Sequence, residues 1–160
     1  MSGRYPALSE ALSGTPGEDW ITTTLPVPAE IGYQRFVQVD DLPLWLPIVR
    51  SVRIQQYGPG GEPMRASFLA SLDNATVGYT LFYEYDRTQL ALRWATPPGS
   101  TIQVSGAASF QPLGPKACLM GYALRLDRGD LPAWRDPFFE NHAPSAVLGH
   151  FRDFIHRSFR

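Results

Sequence analysis

The chain has few of the residues that build metal sites and disulfides. It contains one cysteine, Cys118, and three histidines, at positions 142, 150 and 156. A single cysteine excludes an internal disulfide and a cysteine-based zinc site. Two histidine ligands on one helical face lie about three or four residues apart, and spacings of eight and six residues do not fit that pattern. We therefore expect neither a metal nor another cofactor.

Strong net charge and long apolar runs are absent as well. The formal net charge is −1 at pH 7, which indicates no attraction to nucleic acid or to an anionic membrane. No run approaches the ~18 apolar residues of a membrane span, and the polar first residues lack the apolar core of a signal peptide. We expect a cytoplasmic protein, a monomer or homodimer, that binds no nucleic acid.

The chain does contain enough apolar sequence for one folded domain. Of its 160 residues, 44% are hydrophobic and 12% are aromatic, which is sufficient for a single core. Residues 1–18 are rich in proline, glycine and small polar residues and predict a flexible leader. Residues 19–160 predict one domain. Its expected elements are a strand over 19–27, a helix from Pro28, a short apolar connector at 44–47, strands over 48–57, 64–72, 77–85, 89–94, 101–110 and 117–127, and a C-terminal helix after Asp130 that breaks near Pro144.

The segment 77–94 is the most informative part of the sequence. Both halves alternate, which predicts a hairpin with residues 87–88 at its tip. The facing pairs in that register are Tyr85–Leu90, Tyr83–Leu92 and Leu81–Trp94. One face is then apolar and rich in tyrosine, and the other carries Glu84 and Arg93. A buried tyrosine hydroxyl needs a hydrogen-bond partner, so this face predicts a lined cavity and not a dry core.

A series of antiparallel strands followed by one long helix has one simple way to bury an apolar face. The sheet curves around the helix, which gives an α+β helix-grip architecture. An uninterrupted apolar stripe at Val147, Phe151 and Phe154 supports a helix that packs in this way.

Several local patterns occur in a recognisable order. They are Val27-Pro-Ala-Glu30 with Tyr33-Gln-Arg-Phe36, then Asp41-Leu-Pro-Leu-Trp45-Leu-Pro47, then Tyr83-Glu-Tyr-Asp86 with Arg93-Trp94, then Gly106-Ala-Ala-Ser-Phe110-Gln-Pro112, and finally Leu131-Pro132. In this order they resemble the helix-grip superfamily of START-like lipid-binding domains and polyketide cyclase/dehydrase-like proteins (SRPBCC). The resemblance implies a deep cavity between the sheet and the C-terminal helix that holds an apolar or aromatic small molecule. Some members of that superfamily are aromatase/cyclases.

Catalytic groups are hard to place inside such a cavity. Alternation puts Glu84 and Asp127 on the face opposite the tyrosines, and no Gly-x-Ser-x-Gly nucleophile motif occurs, so the catalytic residues stay unknown. The aromatic residues are the candidates for binding, together with His150, which lies one turn from both Val147 and Phe154. The expected ligand-binding residues are Trp45, Phe68, Tyr79, Tyr83, Trp94, Met120, Tyr122, Val147, His150 and Phe151. Arg50, by alternation, is a further candidate for a polar anchor.

Three functions fit these residues. The first is binding of a hydrophobic or aromatic small molecule. The second is a polyketide aromatase/cyclase that shapes a poly-ketone chain and donates tyrosine hydrogen bonds to its carbonyl oxygens. The third is a protein-interaction module with a vestigial pocket. If there is a cavity, we expect Gly106→Leu or Ala108→Phe to fill it, block binding and leave the fold intact.

Overall fold

The computed structural model describes residues 20–72, 75–100, 102–127 and 143–159. In these ranges the helices are α1 (Ala29–Val37), α2 (Leu42–Trp45) and α3 (Pro144–Ser158), with a 3-10 turn at Val39–Asp41 before α2. The strands are β1 (Trp20–Leu25), β2 (Val49–Tyr57), β3 (Pro63–Leu72), β4 (Ala75–Asp86), β5 (Ala91–Ala95), β6 (Gln103–Pro112) and β7 (Cys118–Asp127). The predicted leader and the predicted start of the C-terminal helix after Asp130 lie outside the described residues.

All seven strands form one antiparallel sheet in the order β1-β7-β6-β5-β4-β3-β2. Strands β2 to β7 pair with their neighbours in sequence, and β1 pairs with β7, so that β1 and β2 form the two edges of the sheet. The predicted α+β helix-grip fold, an antiparallel sheet combined with a C-terminal helix, is confirmed. None of the described helices is long and apolar enough to cross a membrane.

The start and end of each helix follow from local chemistry. Pro28 precedes α1 in an extended conformation, where its missing N–H costs no helical bond. The predicted connector at 44–47 is partly helical, since α2 ends only at Trp45. Helix α3 begins at Pro144, and Ala143 before it is extended. This agrees with the break expected at that proline.

The apolar stripe of α3 lies in the core. Val147, Phe151 and Phe154 are buried, as are the adjacent Leu148 and Ile155. Arg35 of α1 holds the far end of the helix, because its guanidinium carbon lies 5.2 Å from the centre of the Phe154 ring and 5.4 Å from that of Phe159. Such cation–π contacts favour a fixed docking of α3 onto α1.

The hairpin β4–β5 has the predicted faces but a different register. Tyr83 lies opposite Trp94, and Tyr85 opposite Leu92. The three predicted pairs, Tyr85–Leu90, Tyr83–Leu92 and Leu81–Trp94, are therefore wrong by two residues. The reason is the turn, which takes the four residues 87–90 instead of two. The carboxylate of Asp86 accepts a hydrogen bond from the Gln89 N–H, and Leu90 adopts a left-handed backbone with φ 51°. Because the slip is an even number, no side chain changes face.

Strand β2 departs from simple alternation at its start. Val49 pairs with Ala70 and Ser51 pairs with Leu69, so the register shifts between them and Arg50 lies in the irregularity. A bulge of this kind turns the extra side chain out of the regular pattern. Arg50 is exposed, which overturns its prediction as a polar anchor on the inner face.

Candidate ligand cavity

A cavity of about 60 Å³ lies on the inner face of the sheet, under α2 and α3. Side chains from strands β2 to β7, from α1 and α2 and from α3 surround it. The described residues that line it are Phe36, Val39, Leu42, Trp45, Leu46, Val49, Phe68, Tyr79, Leu81, Tyr83, Trp94, Val104, Tyr122, Leu124 and Val147. None of these side chains carries a charge at neutral pH.

Three tyrosines on the wall form what we call the tyrosine cluster: Tyr79, Tyr83 and Tyr122. Tyr83 and Tyr122 are 5% and 3% exposed, and Tyr79 is half-buried against the ring of Phe68 at 5.3 Å. Burial raises the pKa of each well above the ordinary value. Neighbouring tyrosines raise the pKa of two of them further: Tyr85 and Tyr79 act on Tyr83, and Tyr79 acts on Tyr122. At neutral pH they are therefore neutral hydrogen-bonding groups.

The floor of the cavity is the indole of Trp94. Tyr83, Trp94, Gly106 and Leu124 lie opposite one another in a row across β4, β5, β6 and β7. The indole lies over Gly106, because a Cβ atom added to that glycine would come within 2.6 Å of the ring. Only a residue without a side chain lets the indole lie this close to β6.

Phe36 of α1 is the centre of the helical side of the cavity. Its ring lies 5.1 Å from Phe151, 5.8 Å from Trp94 and 6.1 Å from Trp45. It is only half-buried, whereas Trp45 behind it is 4% exposed. Phe36 thus lies between the cavity and the solvent.

Trp45 carries a buried polar atom that lacks a partner. Its indole N–H makes no hydrogen bond to any part of the chain that the structure describes. A buried donor left without a partner costs about 1–3 kcal/mol. A hydrogen-bond acceptor close to this ring would therefore stabilise it.

An ion pair of the β4–β5 hairpin lies on the other face of the sheet. Glu84 pairs with Arg93 across β4 and β5, with 2.6 Å between the carboxylate oxygen and Nε. This agrees with the prediction that Glu84 points away from the tyrosines. Within the described ranges, no three or more histidine, cysteine, aspartate or glutamate side chains are grouped as a metal site would need.

Seven of the ten residues predicted to bind a ligand lie on the cavity wall, namely Trp45, Phe68, Tyr79, Tyr83, Trp94, Tyr122 and Val147. Three others are not part of the described wall. Met120 pairs with Phe110, two residues or about 7 Å along β7 from Tyr122. Phe151 is fully buried behind the rings of Phe36 and Trp45, at 5.1 and 5.0 Å. His150 is half-buried and lies beside the buried stripe of α3.

Several wall residues were not among the predicted site residues. Leu81 lies on the same face of β4 as Tyr83, and Leu124 lies on the same face of β7 as Tyr122. Val104 is two residues from Gly106 on the same face of β6. Alternation along each strand could therefore have identified all three as wall residues. Phe36 appeared in the sequence analysis only as the last residue of the motif Tyr33-Gln-Arg-Phe36. Nothing in the sequence indicated that its ring would point at the cavity.

The sequence matches no protein-family model and no curated protein. Its fold is similar to several solved structures. A START superfamily protein from Mycobacterium smegmatis has a TM-score of 0.65 and 16% identity, over 84% of this chain and 97% of that one. The Zhui aromatase/cyclase from Streptomyces sp. R1128 has a TM-score of 0.68 and 14% identity, over 88% and 94%. The di-domain ARO/CYC BexL, from the BE-7585A biosynthetic pathway, has a TM-score of 0.63 and 17% identity over 84% of this chain, which spans 44% of BexL. At such identities the likeness establishes a START-like helix-grip fold.

Proposed function

We propose that the protein binds a small apolar or aromatic molecule in the cavity between the sheet and the helices. The observation that carries this proposal is a partly enclosed apolar space with a cluster of neutral tyrosine hydroxyls on one wall. Small-molecule sites usually combine an apolar lining with a few placed polar groups. The proposed contacts are the seven predicted residues on the wall, together with Phe36, Leu81, Val104 and Leu124.

The size of the cavity limits what it holds without movement. A drug-sized ligand needs a pocket of about 300–1,000 Å³, and an engineered cavity of about 150 Å³ holds one benzene. The cavity has a volume of only about 60 Å³, so an aromatic ligand can enter only if part of the wall moves. Phe36 is the side chain we expect to move, because it is half-buried and comes from a short helix.

An aromatase/cyclase is the second candidate. It is supported by the similarity in fold to proteins named as aromatase/cyclases and by the tyrosine cluster, which offers hydroxyl donors to carbonyl oxygens. Such a site acts by holding a flexible chain in a reactive shape and by stabilising charge that develops on oxygen. The described wall contains no carboxylate, histidine or amine to act as a base, so this chemistry depends mainly on positioning and on the tyrosine hydroxyls.

The test is a titration of the full chain with small aromatic hydrocarbons, in which binding is monitored by the fluorescence of Trp45 and Trp94. Single Trp→Phe variants assign the signal to one indole, and native mass spectrometry of the purified protein shows any ligand that it retains. Val104→Leu combined with Val147→Leu adds two methylenes to the wall and should weaken binding. Val52→Leu adds one methylene at a half-buried position outside the described wall and should leave binding unchanged.

Two results would count against ligand binding. One is a parent protein that binds no probe and retains no ligand, which favours an interaction module with a vestigial pocket. The other is equal loss of affinity in the wall variant and in the Val52→Leu control, which places binding elsewhere. To separate binder from enzyme, a synthetic poly-ketone thioester is incubated with the protein, and its ring-closed products are compared with those formed without it.

A further inference from the structure

We propose that the ligand is an uncharged molecule that places an oxygen atom between the hydroxyls of Tyr83 and Tyr122. This inference rests on the proposed function, because it names the class of molecule that the same cavity takes. It concerns two side chains that come from strands at opposite sides of the cavity floor.

The two tyrosines come from separate strands and contact the same indole, that of Trp94. Strands β4 and β7 are separated by β5 and β6, so their backbones lie about 14 Å apart at ~4.8 Å for each strand spacing. Both phenol rings contact the same indole, with centroid distances to Trp94 of 6.3 Å for Tyr83 and 5.8 Å for Tyr122. Gly106 leaves this part of β6 without a side chain, so the Trp94 indole covers it and both phenols lie beside that indole.

The chemistry of the wall selects against charged ligands. Every side chain of the described wall is uncharged at neutral pH, and the burial that raises the pKa of both phenols keeps them in that form. A carboxylate or an ammonium would be buried there without an opposite charge, which costs several kcal/mol. A neutral carbonyl or ether oxygen has two lone pairs, and two hydroxyls can each donate to it.

Four probes with one ring skeleton test this assignment: cyclohexanone, the isosteric hydrocarbon methylenecyclohexane, cyclohexanecarboxylate and cyclohexylammonium. Affinities are measured on the full chain from methyl chemical shifts of the wall residues Leu81, Val104 and Val147 by NMR. We expect both neutral probes to bind the parent. The two charged probes should shift these methyls at least about tenfold less strongly at equal concentration, because burying a charge without an opposite charge is costly.

The informative comparison is between the parent and a variant, made separately for each neutral probe. The double variant Tyr83→Phe/Tyr122→Phe should weaken cyclohexanone about tenfold, the size expected from one or two lost hydrogen bonds, and should leave methylenecyclohexane unchanged or slightly tighter. Tyr85→Phe is the matched control. Tyr85 lies on the same face of β4, but its hydroxyl donates to the Pro63 carbonyl at 2.5 Å and it is not part of the described wall, so neither neutral probe should change. The single variants serve if the double variant unfolds.

Each outcome decides between the two proposals. If charged probes bind as well as the ketone, or if the double variant weakens ketone and hydrocarbon equally, the oxygen assignment is wrong and ligand binding stands. If no probe moves the wall methyls of the parent, the proposed function fails and this inference fails with it.

Discussion

Gly106→Ala is the substitution whose effect the structure predicts most directly. The new Cβ atom would lie 2.6 Å from two carbons of the Trp94 indole and 2.7 Å from its nitrogen. Carbon atoms in proteins pack no closer than about 3.5 Å at their optimum. The indole must therefore rise from β6, and the open space that it can rise into is the cavity.

The magnitude follows from two opposing effects. Overpacking a well-packed site costs about 1–3 kcal/mol, and replacing glycine by alanine recovers about 0.4–1 kcal/mol through the less flexible unfolded chain. We expect the free energy of unfolding to fall by about 1–2 kcal/mol, which for a domain of this size lowers Tm by about 2–4 °C per kcal/mol. Gly106→Leu would be worse, so the sequence-based expectation that it fills the cavity with the fold intact is not supported by the contacts of this glycine.

Urea unfolding followed by circular dichroism measures the change. Gly149→Ala in α3 is the matched control, because its new Cβ atom meets nothing within 4 Å and alanine is favoured over glycine in a helix by about 0.8–1 kcal/mol. In a Trp94→Phe background the smaller ring should relieve most of the cost of Gly106→Ala. The account of Trp94 as the cavity floor would be refuted by an alanine variant as stable as the parent, or by a cost that persists at full size in the Trp94→Phe background.

Two further predictions concern pH and the single thiol. The raised pKa values of the tyrosine cluster mean that the folded state holds these protons more tightly than the unfolded state, so its contribution is complete below pH ~10 and is lost above it by about 4 kcal/mol per pH unit for three groups. Alkaline titration should show cluster phenolates only as circular dichroism reports unfolding. Burial also raises the pKa of Tyr85, so the measured slope is steeper than that of the cluster alone, and Tyr83→Phe should reduce it by about 1.4 kcal/mol per pH unit. Phenolates that form earlier in the folded chain would contradict this. Cys118 is fully buried, and burial raises its pKa to about 11, so a thiol reagent at about pH 8 should label the native chain slowly and the urea-unfolded chain rapidly. Fast labelling of the folded protein would show that this strand face opens.

In the β4–β5 hairpin, alternation in the sequence predicted which face each residue occupies, but not the register in which the two strands pair. Tyr83 and Trp94 were assigned correctly to the inner face, yet each was paired with the wrong partner, because a four-residue turn replaced a two-residue one. The turn depends on an Asp86 side-chain hydrogen bond and on a left-handed Leu90, and leucine gives little signal for that conformation.

Arg50 shows the same limit at a strand end. Strict alternation predicted that its side chain lies on the inner face. One register shift after Val49 makes that prediction wrong. The periodicity of a sequence does not reveal a bulge, because a bulge places two residues of one strand opposite one of its partner without any change in composition. Assignments in the middle of long strands were therefore safer than those within two residues of an end.

The volume of the cavity is the property furthest from the sequence, and Phe36 explains why. Sequence patterns identify side chains that are buried together, but they do not distinguish a ring that lines a space from a ring that fills it. Phe36 contacts three aromatic residues of the sheet, Trp94, Phe110 and Tyr122, and two from the helical side, Trp45 and Phe151. Its position thus decides whether the tyrosine wall encloses about 60 Å³ or a space large enough for a ring. A side chain that is half-buried while it makes five ring contacts has both the access to solvent and the interactions with the wall that a ligand-dependent movement requires.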